Sequence, residues 1–551
     1  MKKICAASGQ EFEITESDMK FYEKIGVPIP TLCPEERLRR KTIFENQRNL
    51  YYRTCDATGK KLLSNYSPEK KIPIYGIDYW LSDKWDQFVT GRDFDFSRPF
   101  FEQFAELAEV APRPALQRFP EYDENSDFTN YAGKNKNCYL IFDSDKNRDC
   151  YYSYSINLCE SVVDCYRCDK CELCYECTDC AQCYDSGFLQ DCVNCHDSFF
   201  LKSCIGCSHC FGCVNLRNKE YYFLNQKCTK EEYEEKLKGI SLDNFNELQK
   251  MRTQFKEFMK KFPHKFMEGV HNENVLGNYL VNCKNAFNCF DSRNLWDCKY
   301  VLQAFDDLKD AMDCKECGDK AELLYECDIC GYNVHSLRFC SHCFGVTQSD
   351  YSYYLRNSQN CFGCVGLHNA KYCILNKQYS KEEYEELKEK IIEHMKKTNE
   401  WGEFFPMKLS PFGYNETIAQ DNYPLTKEEV LSKEWKWKDE ELGTKYDGPK
   451  YEIPENIDDV DDDILDKILT CEKTGKNYRI VRPELEFYRK MNLPIPRVCP
   501  EAREDGRRKL RNPRKLYDRK CDECSVGFHT TYAPDRPEKI YCEKCYSECV
   551  D

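Results

Sequence analysis

From Cys165 to Cys183 the chain reads CYRCDKCELCYECTDCAQC, a cysteine at every third position. That spacing excludes both regular elements. On an α-helix each step of three turns a side chain by about 300°, so the thiols would travel right round the axis. On a strand, odd steps alternate between faces, and half the thiols would meet water. The pattern extends well beyond this stretch: sixteen cysteines lie between Cys138 and Cys213, and every one sits at a multiple of three. It repeats more strictly at twelve. Cys168, Cys180, Cys192 and Cys204 form one series, and Cys159, Cys171, Cys183, Cys195 and Cys207 another. Other positions in that phase are small or apolar, among them Ile141, Ser144, Ser153, Ile156, Val162, Ser186 and Leu189, while the residues between are rich in Asp, Asn, Lys, Glu and Tyr. A narrow solenoid accounts for this. It has about twelve residues per coil, every third side chain points inward, and coils stack at the ~4.8 Å strand spacing. Only small side chains fit such an interior, and cysteine is a compact hydrophobe.

The chain is duplicated twice over. FDSDKNRDC (142–150) matches FDSRNLWDC (290–298), and CFGCVNLRNKEYYFLNQKCTKEEYEE (210–235) matches CFGCVGLHNAKYCILNKQYSKEEYEE (361–386). A second array therefore follows the first. Its triplets drift: Cys314, Cys327 and Cys340 are thirteen apart, as are Cys317, Cys330 and Cys343, one extra residue per coil that would bulge at a corner. Each array ends in a capping box, Thr229-Lys-Glu-Glu232 and Ser380-Lys-Glu-Glu383. Phe245, Leu248, Phe255, Phe258 and Phe262 recur at helical spacing. Such helices are expected to cover the open ends of the arrays.

The two ends of the chain also match. FYEKIGVPIPTLCPEERLRR (21–40) corresponds to FYRKMNLPIPRVCPEAREDG (487–506), and Cys5, Cys33 and Cys55 fall on Cys471, Cys499 and Cys521 at a constant offset of 466. The expected architecture is mainly β with helical insertions. Two Cys-rich narrow β-solenoids of about 12–13 residues per coil are capped by helices and flanked by duplicated zinc-ribbon-like terminal domains. The boundaries are 1–80 for the N-terminal ribbon-like domain, 81–135 for a connector and capping helix, and 136–228 for the first solenoid. A helical segment (229–275), the second solenoid (276–379), a helix (380–400), an extended acidic linker (401–470) and the C-terminal ribbon (471–551) follow.

Cys521-Asp-Glu-Cys524 and Cys542-Glu-Lys-Cys545 form a pair of Cys-x-x-Cys knuckles, the pattern that closes a tetrahedral zinc site across a hairpin. Four protein thiolates leave no open position, so one structural Zn²⁺ is expected. The N-terminal copy retains only Cys55 of these four. Cys5 with Cys33, and Cys471 with Cys499, are half-occupied knuckles and weaker metal candidates, each lacking two of four ligands. The array thiols admit three readings: inert packing, metal binding through Cys165, Cys168, Cys171 and Cys174 of one coil, or disulfides between coils.

The sequence from 404 to 417, FFPMKLSPFGYNET, and that from 80 to 104, WLSDKWDQFVTGRDFDFSRPFFEQF, together with the ribbon and CFGCVNLRNKEYYFLNQ motifs, resemble an uncharacterised bacterial family known mainly from environmental genomes and described as zinc-ribbon-like. The resemblance covers nearly the whole chain. It implies this architecture and a zinc site, and it implies no activity. The family pattern resembles Cys-x-x-Cys-Gly and Cys-Pro-x-Cys-Arg; Ser8, Glu36, Thr474 and Ala502 depart from it at the first site of each ribbon.

Function classes follow from what is present. The net charge of −15 excludes indiscriminate nucleic-acid binding. The start of the chain has no apolar stretch suited to a signal peptide, and no run approaches a membrane span, so a soluble cytoplasmic protein is expected. A scaffold that binds a protein partner through solenoid faces is the leading reading. A nucleic-acid or ribosome-associated role is the alternative, through Arg507, Arg508, Lys509, Arg511, Arg514 and Lys515 beside the C-terminal ribbon. Metal buffering or redox work by the arrays is a third. Catalysis is disfavoured: no phosphate loop or nucleophile elbow is present, and the two CSHC stretches (207–210, 340–343) lack a third, orienting residue.

Overall fold

A computed structural model describes residues 1–119, 122–304, 307–315, 324–331, 333–439 and 448–550. Cys317 lies outside them. Both expected solenoids are present. In the first, parallel strands Glu160–Val163, Glu172–Tyr175, Tyr184–Gly187, His196–Lys202 and Ser208–Val214 pair at a register of twelve, as in Val162↔Cys174 and Cys174↔Ser186. Bridges such as Tyr139↔Tyr151 and Asn157↔Asp169 carry the same register round the other walls. The second array keeps twelve over most coils and slips to thirteen at Leu295↔Leu308 and Asp328↔Ser341. The slip follows the drift in its cysteines.

The coil turns by one backbone device. From Asn137 to Asn218 every third residue has φ near +50°, and only Gly206 and Gly212 in that series are glycine. Each left-handed residue costs an L-amino acid about 1–2 kcal/mol, so the ladder must offset it. It does so at every corner: Arg167 N–H donates to Tyr154 O at 2.9 Å on the preceding coil, and Arg148 N–H to Cys159 O at 3.0 Å on the next. Asn and Asp at these corners add side-chain ladders, as in Asn137 Nδ2 to Asp149 Oδ1 at 2.9 Å and Asn285 Nδ2 to Asp297 Oδ1 at 2.8 Å.

The residue after each left-handed corner points its side chain and its own N–H into the tube. That amide needs an acceptor, and where the inward residue twelve positions earlier is serine, asparagine or cysteine its side chain supplies it. Cys165 N–H donates to Ser153 Oγ at 3.0 Å, Cys159 N–H to Asn147 Oδ1 at 3.0 Å, and Cys361 N–H to Ser349 Oγ at 3.0 Å. Where the inward residue is cysteine, sulfur takes the role: Asn225 N–H reaches Cys213 Sγ at 3.5 Å, and Cys177 N–H reaches Cys165. The thiol then donates onward, as Cys150 Sγ does to Arg148 O at 3.1 Å. The interior cysteines are buried, and no disulfide joins the described ones. Burial pushes Cys289, Cys327 and Cys340 well above the ordinary thiol value. They remain protonated donors.

Each array is closed by a hairpin whose turn asparagine imitates a missing coil. Val214 N–H donates to Asn225 Oδ1 at 2.8 Å while Asn225 Nδ2 donates to Val214 O at 2.9 Å; Asn376 does the same to Val365 at 2.9 and 2.8 Å. The capping boxes at Thr229 and Ser380 start the helices Lys230–Lys238 and Lys381–Lys397 as expected.

Other expectations need correction. The first ladder joins Arg118–Phe119 to Thr129–Gly133, so the solenoid begins inside the assigned connector. The helix Phe100–Val110 packs on the second array, not the first, with Phe100 against Phe362 and Tyr351. The helix Phe245–Met259 covers a side of the first array rather than its end, Phe255 meeting the outward ring of Phe200 at 5.7 Å. The segment after Trp401 is no extended linker: Phe404, Phe405, Phe412, Tyr414 and Ala419 are buried. No helix among the described residues is long and apolar enough to cross a membrane.

The arrays lie side by side and antiparallel. Asp191 of the first meets Tyr279 of the second, Arg167 meets Asp291, Asp143 meets Gln303, and Tyr131 meets His342, so positions descend in one as they rise in the other. The terminal modules cross over. The N-terminal module, which precedes the first array, docks on the second through Arg37–Asp313 at 2.8 Å and Tyr22–Tyr325. The C-terminal module docks on the first through Arg503–Asp164 at 3.0 Å and Tyr488–Tyr175. Arg37 and Arg503, and Tyr22 and Tyr488, are counterparts at the offset of 466. The second knuckle of each module pairs in parallel with the strand leading into the other array, Ile74↔Arg113 and Ile540↔His264. The whole chain is thus a pseudo-two-fold assembly.

Two outcomes are expected. Cys165→Ser, which keeps an acceptor for Cys177, should leave thermal stability nearly unchanged, whereas Cys165→Leu, which adds bulk at a packed position and leaves the Cys177 amide without its acceptor, should cost about 2–4 kcal/mol in denaturant titration. Asp164→Ala removes the carboxylate shared by two buried guanidinium groups, leaving Arg503 only the Glu484 carboxylate and Arg507 none among the described residues. It should cost about 3–5 kcal/mol, measured as the loss of the C-terminal module's protection in hydrogen exchange.

Candidate metal centre

The ribbon modules are built from one small unit used four times. Each begins with a hairpin knuckle in which a cysteine amide closes a tight loop: Cys5 N–H to Gln10 O, Cys55 to Lys60 O, Cys471 to Lys476 O and Cys521 to Val526 O, at 2.8 to 2.9 Å. A left-handed residue makes each loop possible, Gly9, Gly59 and Gly475, and Ser525 in the fourth. Each unit ends at the start of a helix, where Cys33, Gly76, Cys499 or Cys542 sits opposite the first knuckle. There Cys33 N–H donates to Cys5 Sγ at 3.3 Å, Gly76 N–H to Cys55 Sγ at 3.4 Å, and Cys542 N–H to Cys521 Sγ at 3.3 Å. The backbone of a metal knuckle is therefore kept four times.

The thiols are kept once. Cys521, Cys524, Cys542 and Cys545 bring their sulfur atoms within 4.8 Å of one another, and among the described residues no other group of three or more His, Cys, Asp or Glu does so. Cys524 and Cys542 Sγ are 3.7 Å apart. A tetrahedral tetrathiolate centre with ~2.3 Å metal–sulfur bonds has edges of about 3.8 Å, so the cluster can hold a metal ion. The electrostatics favour thiolate here: burial acts to raise Cys521, but the amides of Cys524, Cys542 and Glu523 outweigh it and bring it down to about 6. The same device brings Cys5 and Cys471 to about 7, against burial, through amide and hydroxyl donors.

The weaker candidates fall short of a site. Beside Cys5 and Cys33 the third position is Ser8, whose Oγ lies 3.8 Å from Cys33 Sγ; beside Cys471 and Cys499 it is Thr474, at 3.7 Å from Cys499. A hydroxyl fills one of the two missing thiol places in each, and Glu36 and Ala502 stand at the other. The coil of Cys165, Cys168, Cys171 and Cys174 is not a cage. Each of these thiols donates to a carbonyl on its own wall, Val163, Tyr166, Asp169 and Glu172 at 3.6, 3.7, 3.6 and 3.3 Å. Neighbouring thiols in the coil also meet, Cys168 with Cys165 and with Cys171, but no three of the four sulfur atoms lie within 4.8 Å of one another, and here they act as structural hydrogen-bonding groups.

The basic stretch is mostly spent internally. Arg507 donates to Asp164 at 2.8 Å and to Tyr152 O at 3.0 Å, Arg511 pairs with Asp179 and Asp291, Arg514 with Asp291, and Arg508 with Asp421 and Asp505. Lys509 is exposed beside Asp505, and Lys515 is exposed over the ring of Tyr517. Sequence reading missed this use. The signal was available: Arg37 and Lys41 match Arg503 and Arg507 across the duplication, a cationic pair kept where a solvated face would drift.

No protein-family model matches the chain, and no curated protein matches it.

Cys524→Ser should abolish binding of one metal equivalent, read by elemental analysis, while Cys33→Ser should not. In metal-free protein the stabilisation from Cys521, whose folded value lies below its ordinary 9.0, should be complete above about 9 and lost as pH falls through about 6; thiolate absorbance against pH, set beside the unfolding midpoint, measures it.

Proposed function

We propose that the protein is a non-catalytic scaffold in which one zinc ion locks the C-terminal module and the free side of the first array receives a protein partner. Zinc suits four soft thiolates in tetrahedral closure, and a filled shell makes its role structural. The scaffold reading rests on one observation. Val193 and Ile205 are exposed and bridged directly on adjacent coils of the first array, and exposed Leu158 lies on the same wall. Apolar side chains held in register on a flat, rigid ladder are the groundwork of a protein-binding face. The nucleic-acid reading is weaker, since four of its six cations are occupied within the chain. A cytoplasmic setting fits a protein whose interior consists of reduced thiols.

The test combines metal content with partner mapping. Freshly purified protein should carry about one zinc per chain; many equivalents would shift the reading to metal storage by the arrays. Val193→Glu with Ile205→Glu should remove cross-links to a co-purifying protein while leaving circular dichroism and zinc content intact. Unchanged cross-links in that variant would end the assignment of this face.

A further inference from the structure

Away from the metal cluster the pseudo-two-fold repeat breaks again. A cavity of about 240 Å³ lies where the helix Phe245–Met259, the late coils of the first array, the start of the second and the C-terminal module meet. Its wall includes Asp191, Lys202, Lys256, His264, Glu268 and Tyr532. The counterparts of these residues in the other half are His342, Tyr353, Ala105, Arg113, Gln117 and Tyr66. The correspondence is fixed by shared contacts: Tyr279 donates to Asp191 as Tyr131 meets His342, and Ile540 pairs with His264 as Ile74 pairs with Arg113.

In that other half the place is closed. Tyr66, Arg113, His342, Tyr353 and Gln117 are buried, and the chain's own Phe412 stacks on Tyr66 at 5.0 Å. The segment carrying Phe412 has no counterpart after the first array, where the chain runs directly from the helix Lys230–Lys238 into Phe245–Met259. Rings have thus been exchanged for charges at the one copy left open. Lys202 and Asp191 satisfy each other. The Glu268 backbone N–H donates to Asn278 Oδ1 at 2.7 Å, and its carbonyl accepts from Leu280 N–H at 3.3 Å. Its carboxyl is pushed up to about 7 by burial and by Asp191, against the pull of Lys202 and Lys265. Two ionisable side chains on the wall, Glu268 and the exposed Lys256 of the helix, make no side-chain hydrogen bond or ion pair among the described residues. Both are absent from the closed copy, where Gln117 and Ala105 stand in their places.

We propose that this cavity is a binding site for a small zwitterion of the α-amino-acid class, its ammonium group held by Glu268 and its carboxylate by Lys256. The volume lies below the roughly 300–1,000 Å³ of sites for drug-sized ligands, which suits a metabolite of this size. A simple anion would leave Glu268 facing it, and a simple cation would leave Lys256 unused; one molecule bearing both charges pairs each. Tyr532, with Arg536 over its ring at 5.9 Å, offers an aromatic wall for the ligand's side chain. The proposal is independent of the partner face on the first array.

The test uses the full-length, zinc-loaded chain and titrates the standard L-amino acids one at a time by calorimetry, with acetate and methylammonium as single-charge probes. At least one L-amino acid should bind with Kd at or below about 1 mM, and each single-charge probe at least about tenfold more weakly. Glu268→Gln and Lys256→Gln should each weaken binding about tenfold or more, with an unchanged melting temperature. Binding by no L-amino acid, equal binding of acetate, or affinity unaltered in both variants overturns the proposal.

Discussion

The structure depends on a hydrogen bond that points inward. A coil that turns at every third residue through a left-handed corner cannot direct all its amides along the ladder, and one amide per corner faces the tube axis. A buried amide without a partner costs about 1–3 kcal/mol, and the arrays present this demand at corner after corner. The inward side chain must therefore suit a dry interior, and where it is polar or a thiol it accepts from the amide twelve residues on and donates to a nearby carbonyl. Serine and asparagine do this at Ser153, Ser349 and Asn147. Cysteine does it with less desolvation, since its thiol is a weak donor and acceptor on a hydrophobic atom. Its abundance follows from this backbone geometry.

A narrow tube buries its own core but leaves flat sides. Here they are covered by pairing two tubes in opposite directions and bridging them with the crossed terminal modules. Desolvated charges fix this arrangement. Asp164 holds Arg503 and Arg507, Asp313 holds Arg37, and Asp291 gathers Arg167, Arg511 and Arg514, whose guanidinium groups overcome burial and hold its carboxyl well below the ordinary range. Such clusters add little net stability over well-packed apolar residues, but a wrong docking register would leave them unpaired. They select the position at which each module meets its array.

The four knuckles separate a scaffold from its ligand. Amide hydrogen bonds to a single sulfur, a left-handed turn residue and a helix start suffice to hold the loop at Cys55, and two further copies keep only a second cysteine, Cys33 or Cys499. Only the last retains four thiols at metal-binding distance. The same asymmetry recurs at the cavity, where one copy is filled by Phe412 and rings and the other is left open with charges. Duplication supplied two equivalent places in each case, and one of each pair was free to change.

Much was legible in the residues alone. The triplet and its period of twelve specified a tube, because no helix or flat strand places every third side chain on one side. The slip to thirteen, the capping boxes and the Cys521–Cys545 ligand set followed from spacing in the same way. These are local properties, set by steric limits on a few consecutive residues. The antiparallel pairing of the arrays, the crossing of the terminal modules, the internal use of Arg507 and Arg511, and the open cavity were decided only in three dimensions. They arise from side chains hundreds of positions apart, and a charge in a sequence carries no mark of whether it will face water or another buried charge.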